Sequence, residues 1–269
     1  MKKVPSKQAN QLTCKKRNAI LKSNQLMAER MNTMRITFLG SSHGVPEPNR
    51  KCTCIMIETA GRHYFIDMGV MLFDELITRG IPVDSVKGVF VTHLHGDHTN
   101  GLPHFIDLLS WYFKTPEPVI CVPNLQAIEA VFGWIRANAV EPRALEYREV
   151  KPGCIYDDGF ISVTAYATQH CDRSFAYLVK AEGKTILFTG DLKHPSVDFP
   201  AINDALDLLV CESAHFSSLD YAPILKEKEI KQVCIHHYSS KWHADALQLI
   251  TEMPELPIKL ATDGLTYNL

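Results

Sequence analysis

Residues 91–98 read Val91-Thr92-His93-Leu94-His95-Gly96-Asp97-His98 and put four metal-binding side chains within six positions. An apolar strand is predicted directly before them, so His93 and His95 alternate at its end and project from the same side. Gly96 permits a sharp turn, which lets Asp97 and His98 face a second metal ion beside the first. Two ions about 3.5–4 Å apart need ligands at this density. The alternative is a solvated polar turn, in which three imidazoles and a carboxylate would need many other partners.

Further ligands are predicted at the ends of three later strands. His170 follows one of them, Asp191 follows another, and the pair His236-His237 ends a third. Each signal is weak by itself, because a strand-end Asp is usually a turn residue and a single His is usually a surface group. Together, in this order, they complete two coordination spheres.

Strand patterning starts at residue 34 and continues through both halves of the chain. It predicts strands at 35–40, 53–59, 62–67, 86–92, 118–122, 160–168, 174–181, 184–189, 207–211, 231–236 and 257–261. Helical spacing of apolar residues predicts helices near 70–79, 101–113, 124–138, 219–229 and 242–252. We therefore predict an α/β (α+β) fold with two mixed sheets packed face to face and helices outside, in one domain from 34 to 269.

The composition is that of a globular protein, with 46% hydrophobic and 22% charged residues among 269. No run of about 18 apolar residues is present, so no membrane span is expected, and the N-terminus lacks the apolar core of a signal peptide. Eight scattered cysteines are typical of buried thiols in a reducing compartment. We therefore expect a cytoplasmic protein.

Charge is distributed unevenly along the chain. Residues 1–33 hold eight of the 28 Lys and Arg and one of the 30 Asp and Glu, which leaves 20 cations and 29 anions in the rest. A body this acidic is a poor surface for folded RNA. We interpret residues 1–33 as a basic extension: a disordered arm, a frayed surface helix, a nucleic-acid tail, or a segment upstream of a true start at Met34 or Met31.

Several segments carry the pattern of a known family. They are Phe38-Leu39-Gly40-Ser41-Ser42-His43-Gly44-Val45-Pro46, Phe65-Ile66-Asp67-Met68-Gly69, Thr92 through Pro103, Thr189-Gly190-Asp191 and His237-Tyr238-Ser239-Ser240-Lys241-Trp242. In these segments the chain resembles the metallo-β-lactamase superfamily, and within it the ribonuclease Z branch. The resemblance covers nearly all of residues 34–245 and implies an αββα metallo-β-lactamase-like sandwich with a dinuclear site at one edge.

The resemblance also implies a role for each candidate ligand. One ion would be held by His93, His95 and His170 and the other by Asp97, His98 and His237, with Asp191 bridging both. The expected ions are two Zn²⁺, with Mn²⁺ or Fe as alternatives. The family's late motif, His-aromatic-Ser, selects His237 as the ligand and leaves His236 in the strand. Asp67 resembles the family carboxylate that orients a ligand histidine, although it can equally cap a turn.

Two departures from the ribonuclease Z pattern bear on the substrate. Only 20 residues separate His170 from Asp191, enough for two strands and a turn but not for the RNA-gripping arm of tRNA-processing relatives. Val70-Met71-Leu72 also replaces a polar stretch that those nucleases use near the scissile phosphate. Compact relatives without the arm include cyclic-nucleotide phosphodiesterases, among them phage enzymes that destroy cyclic pyrimidine nucleotides. The resemblance therefore favours a phosphodiesterase for a small or cyclic nucleotide.

Three other functions stay open. The first is a tRNA 3′-processing endoribonuclease, the second a lactone or thioester hydrolase with the same ions, and the third a non-catalytic binding protein. Hydrolysis of β-lactams is not expected, because Asp191 stands where true β-lactamases carry a Cys.

Catalytic and substrate-contacting groups are expected from the loops around the ions. Asp97, next to the attacking water, can orient or deprotonate it. His215 follows the strand 207–211 and is the candidate proton donor for the leaving alkoxide, with a surface histidine as the alternative. Ser42 and His43 lie in a loop that can meet the substrate, or that simply turns the chain.

The run Trp111-Tyr112-Phe113 predicts a wall of the pocket or a dimer contact, with core packing as the alternative. Relatives are commonly homodimers, so we expect a homodimer here. The expected partner is a small-molecule phosphodiester, with neither folded RNA nor a membrane.

Overall fold

The computed structural model describes residues 33–45 and 47–269. The basic extension predicted over residues 1–33 lies outside the described residues except for Thr33, so its alternatives stay predictions. In the part of the chain that is described, no helix has the length and apolar character needed to cross a membrane. The cytoplasmic location stays a prediction.

Fourteen described strands form two sheets of seven strands each. The first sheet has the order β14-β1-β2-β3-β4-β5-β6 and is antiparallel up to β3 and parallel from β3 to β6. Its strands are β1 (Arg35–Gly40), β2 (Cys54–Thr59), β3 (Arg62–Ile66), β4 (Val86–Phe90), β5 (Val119–Val122), β6 (Tyr147–Glu149) and β14 (Thr266–Asn268).

The second sheet repeats this plan in the order β13-β12-β11-β10-β9-β8-β7, antiparallel from β7 to β10 and parallel from β10 to β13. Its strands are β7 (Gly153–Asp157), β8 (Ser162–Thr168), β9 (Ser174–Ala181), β10 (Lys184–Phe188), β11 (Leu208–Ser213), β12 (Val233–Tyr238) and β13 (Ile258–Leu260). The prediction of two mixed sheets is confirmed.

Seven α-helices are found among the described residues: α1 (Leu72–Arg79), α2 (Gly96–Thr99), α3 (Leu102–Trp111), α4 (Leu125–Ala137), α5 (Pro195–Asp198), α6 (Ala222–Glu227) and α7 (His243–Glu252). The longer ones follow the predicted helical spacing. The sequence analysis missed β6, β7 and β14, which lie at sheet edges. These strands have three to five residues of mixed polarity, so no apolar alternation marks them.

The core is layered because most strands bury both faces. On β2, Ile55 and Ile57 point between the sheets, where they meet residues of the second sheet such as Tyr177. The alternate residues Cys54 and Met56 point outward under the helices. A third cluster packs the outer face of the second sheet against its own helices. The result is the predicted helix–sheet–sheet–helix sandwich.

The position of the candidate site follows from the parallel strands. Side chains that follow the carboxyl ends of neighbouring parallel strands gather at one edge of a sheet. The loop after β4 and the start of α2 carry residues 93–98, the loop after β10 carries Asp191, and the end of β12 carries His237. Both sheets therefore contribute to one edge.

Gly69→Ala tests the close packing behind this edge. A Cβ at Gly69 would lie 1.9 Å from the Asp97 carbonyl oxygen and 2.8 Å from the Thr53 carbonyl oxygen. Because backbone on both sides would have to move, we expect the free energy of unfolding to fall by roughly 1–3 kcal/mol. Urea unfolding followed by circular dichroism measures the change.

Gly133→Ala is the matched control. Gly133 is exposed inside α4, and apart from its chain neighbours and the backbone of its own helix, a Cβ there meets none of the described atoms within 4 Å. Alanine should therefore raise the free energy of unfolding by up to about 1 kcal/mol. Equal effects of the two substitutions would contradict the packing described for Gly69.

Candidate metal centre

Seven side chains meet at the shared edge of the two sheets. Their donor atoms form two groups, each within 4.8 Å: His93, His95, His170 and Asp191 in the first, and Asp97, His98 and His237 in the second. The structure thus brings together all seven residues that the sequence analysis proposed as ligands, in the two expected sets.

In the first group the imidazole nitrogens converge. His95 Nδ1 lies 3.0 Å from His93 Nε2 and 3.2 Å from His170 Nε2. Asp191 Oδ2 lies 3.6 Å from both His93 Nε2 and His170 Nε2. One carboxylate oxygen and three ring nitrogens therefore surround a common point.

The second group is similarly close. His237 Nε2 lies 2.9 Å from Asp97 Oδ2 and 3.2 Å from His98 Nε2. His98 Nε2 in turn lies 3.4 Å from Asp97 Oδ2. Asp191 reaches this group with its other oxygen, since Oδ1 lies 3.5 Å from His98 Nε2.

Asp191 stands between the two groups and is only 3% exposed. Its Oδ1 and the Nδ1 atom of His237 are buried and have no hydrogen-bond partner among the described residues. Four atoms held tetrahedrally about 2.0–2.2 Å from Zn²⁺ lie roughly 3.3–3.6 Å from one another, close to the separations found in both groups. Five imidazoles and two carboxylates are also ligands that suit Zn²⁺. The residues present therefore fit a pair of such ions.

A bulge in β12 aims His237 into the site. Glu212 of β11 pairs with His236, and the next residue of β11 pairs with Tyr238, so His237 is the extra residue. Its φ of 47° lies in the left-handed region, which residues other than glycine adopt rarely. His236 points elsewhere: its Nε2 contacts the hydroxyl of Thr53. The structure places His237, and not His236, among the donor atoms.

Asp67 supports the second group from behind. Its Oδ2 lies 2.8 Å from His98 Nδ1, and its Oδ1 accepts the backbone N–H of Thr92 at 2.7 Å. The first contact leaves His98 Nε2 to face the other donors. The second ties Asp67 to the residue before His93. Asp67, which has a left-handed φ of 61°, therefore contacts a candidate ligand and holds the backbone just before His93, and turn capping stays a prediction.

Burial and neighbouring charges set the protonation of the donors. Burial and adjacent imidazoles lower the pKa of His93 to about 2, so its ring is neutral and its lone pair is available. Burial opposes a charge on His98, but the adjacent carboxylates outweigh it and raise its pKa. Burial also opposes ionisation of Asp97, yet its imidazole neighbours lower its pKa to about 2. The carboxylates favour positive charge at this edge, which a divalent cation can supply.

His215 lies beside both groups and is partly exposed. Its Nδ1 lies 2.9 Å from each carboxylate oxygen of Glu212 and 4.0 Å from Asp191 Oδ2. The hydrogen bond with Glu212 raises the pKa of His215. Geometry alone also groups His215 with Asp191 and His237 as metal-binding atoms. Because Glu212 engages Nδ1, the arrangement suits a proton donor better than a ligand.

Glu212 is a candidate site residue that the sequence analysis did not identify. It is 2% exposed, and its oxygens accept the backbone N–H groups of Leu192 and Ala214, both at 2.9 Å. It therefore holds the residue after Asp191 as well as His215. The sequence did contain a signal for Glu212, because it ends an apolar strand. A carboxylate buried there without hydrogen-bond partners would be destabilising, so partners could be expected.

The loop with Ser42 and His43 lies beside the second group, with the His43 ring 6.4 Å from that of His237. His43 Nε2 lies 3.2 Å from Glu47 Oε1, and its Nδ1 accepts the backbone N–H of Val45 at 3.3 Å. Ser42 is 1% exposed. Both ring nitrogens of His43 thus have partners within the loop, and substrate contact by Ser42 or His43 stays a prediction.

The aromatic run at the end of α3 divides into exposed and packed residues. Trp111 and Tyr112 are 51% and 63% exposed, whereas Phe113 stacks on Phe73 with ring centroids 4.5 Å apart. Core packing therefore accounts for Phe113 alone. The expected homodimer and pocket wall stay predictions.

Comparison with known proteins identifies the family of this chain. Residues 34–249 match the family model described as Anti-Pycsar protein Apyc1. The chain belongs to this family. The matched span contains every donor residue of both groups and His215.

Curated relatives are more distant. Ribonuclease Z of Archaeoglobus fulgidus is 22% identical over 81% of this chain and 91% of its own length. Ribonuclease Z of Listeria monocytogenes is 28% identical over 56% of this chain, and the match spans only 50% of that protein.

Solved structures share the architecture. The metallo-β-lactamase fold protein YhfI from Bacillus subtilis has a TM-score of 0.72 at 17% identity, covering 88% of this chain and 100% of that one. Human tRNase Z, short form, has a TM-score of 0.67 at 19% identity, covering 87% and 98%. A diphosphatase from the PhnP family has a TM-score of 0.64 at 17% identity, covering 88% and 98%.

Three predictions are confirmed by these comparisons. The fold is the metallo-β-lactamase sandwich, and the chain is a ribonuclease Z-like member of that superfamily. It is also a metal-dependent hydrolase.

Metal content tests the two donor groups. We expect the purified chain, loaded with Zn²⁺ and dialysed, to hold about two ions per chain. Asp191→Ala should bring the content below about one, because Asp191 faces both groups, whereas His170→Ala should retain about one ion in the second group. Elemental analysis by mass spectrometry gives the count.

His243→Ala serves as the control, because His243 is exposed at the start of α7 and belongs to neither group. It should hold as many ions as the unchanged chain. Chelation should also lower the melting temperature of the unchanged chain, since the carboxylates and imidazoles would then lack their cations. Equal ion content in Asp191→Ala and the unchanged chain would refute the shared carboxylate.

Proposed function

We propose that the chain is a phosphodiesterase that uses two Zn²⁺ ions, or similar divalent cations, to cleave a small cyclic nucleotide. The observation that carries this proposal is the joining of two donor groups through Asp191, with His215 beside them. When bound, two cations would acidify a water molecule and offset the negative charge that develops on the phosphate oxygens.

The size of the substrate is inferred from the segment between His170 and Asp191. This segment consists of β9, a turn and β10, and all five residues of β10 pair with β9 as a hairpin. An RNA-gripping arm at this place would need many more residues. The excess of anions after residue 33 also disfavours long polyanions. Both features support a small phosphodiester over a folded RNA.

The type of bond is inferred from the relatives. The chain belongs to the Anti-Pycsar protein Apyc1 family and resembles compact cyclic-nucleotide phosphodiesterases. One solved neighbour is described as a diphosphatase. Attack at phosphorus is the chemistry that agrees with both.

Two side chains have direct roles in the proposed reaction. Asp97, with an ionised carboxylate, accepts a hydrogen bond from the attacking water and orients it toward phosphorus. His215 donates a proton to the alkoxide oxygen as its bond to phosphorus breaks, so that the leaving group departs as a neutral hydroxyl. Glu212 keeps His215 in place and favours its protonated form.

The second candidate is tRNA 3′-processing, which the curated ribonuclease Z relatives favour. This reaction would also cleave a phosphodiester bond and would use the same donor groups, so only the substrate distinguishes the two candidate functions. A lactone or thioester hydrolase differs instead in the bond that is cleaved.

A substrate panel tests the proposal. The metal-loaded chain should hydrolyse bis-p-nitrophenyl phosphate and at least one compound in a panel of cyclic mono- and dinucleotides, followed by liquid chromatography. Asp97→Ala should lower kcat by roughly 100-fold or more, because it removes both a donor of the second group and the water contact. Asp74→Ala, which changes an exposed carboxylate on α1, should leave turnover unchanged.

Two outcomes would overturn the proposal. One is cleavage of a tRNA precursor with kcat/KM far above that for every cyclic nucleotide, which would select the ribonuclease. The other is hydrolysis of lactones or thioesters without any phosphodiester turnover.

The proton donor is tested by changing the leaving group. His215→Ala should lower kcat by roughly 100- to 10,000-fold for a substrate with a poor alkoxide leaving group. The same substitution should have little effect with p-nitrophenolate, which departs without a proton. Equal losses on both substrates would remove His215 from this role.

A further inference from the structure

Asp198, the last residue of α5, is buried beside the first donor group. It is 8% exposed, and its carboxylate accepts three backbone N–H groups. Oδ2 accepts from Gln169 at 2.7 Å and from Lys193 at 2.9 Å, and Oδ1 accepts from His194 at 3.1 Å. No Lys, Arg or His side chain among the described residues forms a salt bridge with Asp198. The three backbone N–H groups therefore stabilise the negative charge of its carboxylate.

The three N–H groups belong to two loops that carry donor residues. Gln169 directly precedes His170, and Lys193 lies two residues after Asp191. These loops follow β8 and β10, which are separated in the sheet by β9. Asp198 therefore links two loops that the strand pairing does not link.

This link bears on one donor group more than on the other. His170 and Asp191 are the members of the first group that the second sheet supplies, whereas His93 and His95 come from the first sheet. The second group depends on Asp97, His98 and His237, and none of their loops donates to Asp198 in the described chain.

We propose that Asp198 is a positioning residue for the first donor group, which holds His170 and Asp191 at the separation that a metal ion requires. This inference rests on the metal centre of the proposed function. A carboxylate is needed because it only accepts hydrogen bonds. An asparagine here would point its NH₂ group, which is a donor, at backbone N–H groups that are also donors, and no hydrogen bond could form on that side of the amide.

Asp198→Asn gives the test, with stepwise Zn²⁺ affinity as the readout. We expect affinity for one of the two ions to fall by roughly 10- to 100-fold, as for other residues that orient metal ligands. Affinity for the other ion should fall much less, because His170 belongs to the first group alone whereas Asp191 faces both groups. Competition with a chromophoric chelator measures both steps, and excess Zn²⁺ should restore turnover. In the Co²⁺-substituted protein, the absorption bands of one ion should change markedly and those of the other only slightly.

Asp207→Asn is the matched control. Asp207 is 9% exposed and accepts the backbone N–H of Thr185 at 2.9 Å and a proton of Lys231 at 2.9 Å. It lies at the opposite end of β10, away from both donor groups. Its substitution should lower the melting temperature without changing either Zn²⁺ affinity.

The outcomes separate the role of Asp198 from the metal centre itself. Two ions bound with unchanged affinities by Asp198→Asn would overturn the positioning role and leave the centre intact. An equal loss at both steps would also overturn it, because the effect would then be general. A chain that binds no Zn²⁺ before any substitution would refute the centre and this inference with it. If Asp198→Asn does not fold, Asp198→Glu, which keeps the acceptor but lengthens the side chain, should show the same one-site loss to a smaller degree.

Discussion

The buried carboxylate of Asp191, facing imidazoles on both sides, is the constraint on which the rest of the structure depends. Five histidine rings and two carboxylates are crowded at one edge of the sandwich, and two of their buried polar atoms have no hydrogen-bond partner in the described chain. A buried polar group without a partner costs about 1–3 kcal/mol. Bound cations would supply the missing partners. The two-sheet fold makes this arrangement possible, since carboxyl ends of parallel strands from both sheets reach the same edge.

Three buried carboxylates next to the donor groups make the same kind of contact. Asp67, Glu212 and Asp198 each accept backbone N–H groups from the loops that carry donor residues. Asp67 and Glu212 also contact an imidazole. Hydrogen bonds to an ionised acceptor are about twice as strong as neutral ones, so each carboxylate can hold a loop that strand pairing leaves free. These contacts help to set the spacing of the donors that follow strand ends.

The sequence predicted the part of this centre that is local in the chain. The density of donors at His93, His95, Asp97 and His98 is visible in six residues, and a strand-end position marked His170 and Asp191. Glu212 and Asp198 were not predicted, because their importance lies in contacts with residues up to 29 positions away. The strands β6, β7 and β14 were missed for a related reason: an edge strand is specified by its partner more than by its own apolar pattern.

Two of the six described residues other than glycine that have a left-handed φ lie at the same edge. Asp67 and His237 have left-handed φ angles of 61° and 47°, and each such residue costs on the order of 1–3 kcal/mol unless its surroundings stabilise it. Both residues use this conformation to aim a side chain at the second donor group: Asp67 at His98, and His237 at Asp97. In a regular strand neighbouring side chains alternate between the two faces, so without the bulge His237 would simply point to the face opposite that of His236. The fold therefore accepts backbone strain in order to form the centre. Ion binding can offset this cost in free energy, and the stability of the chain is then linked to its metal content.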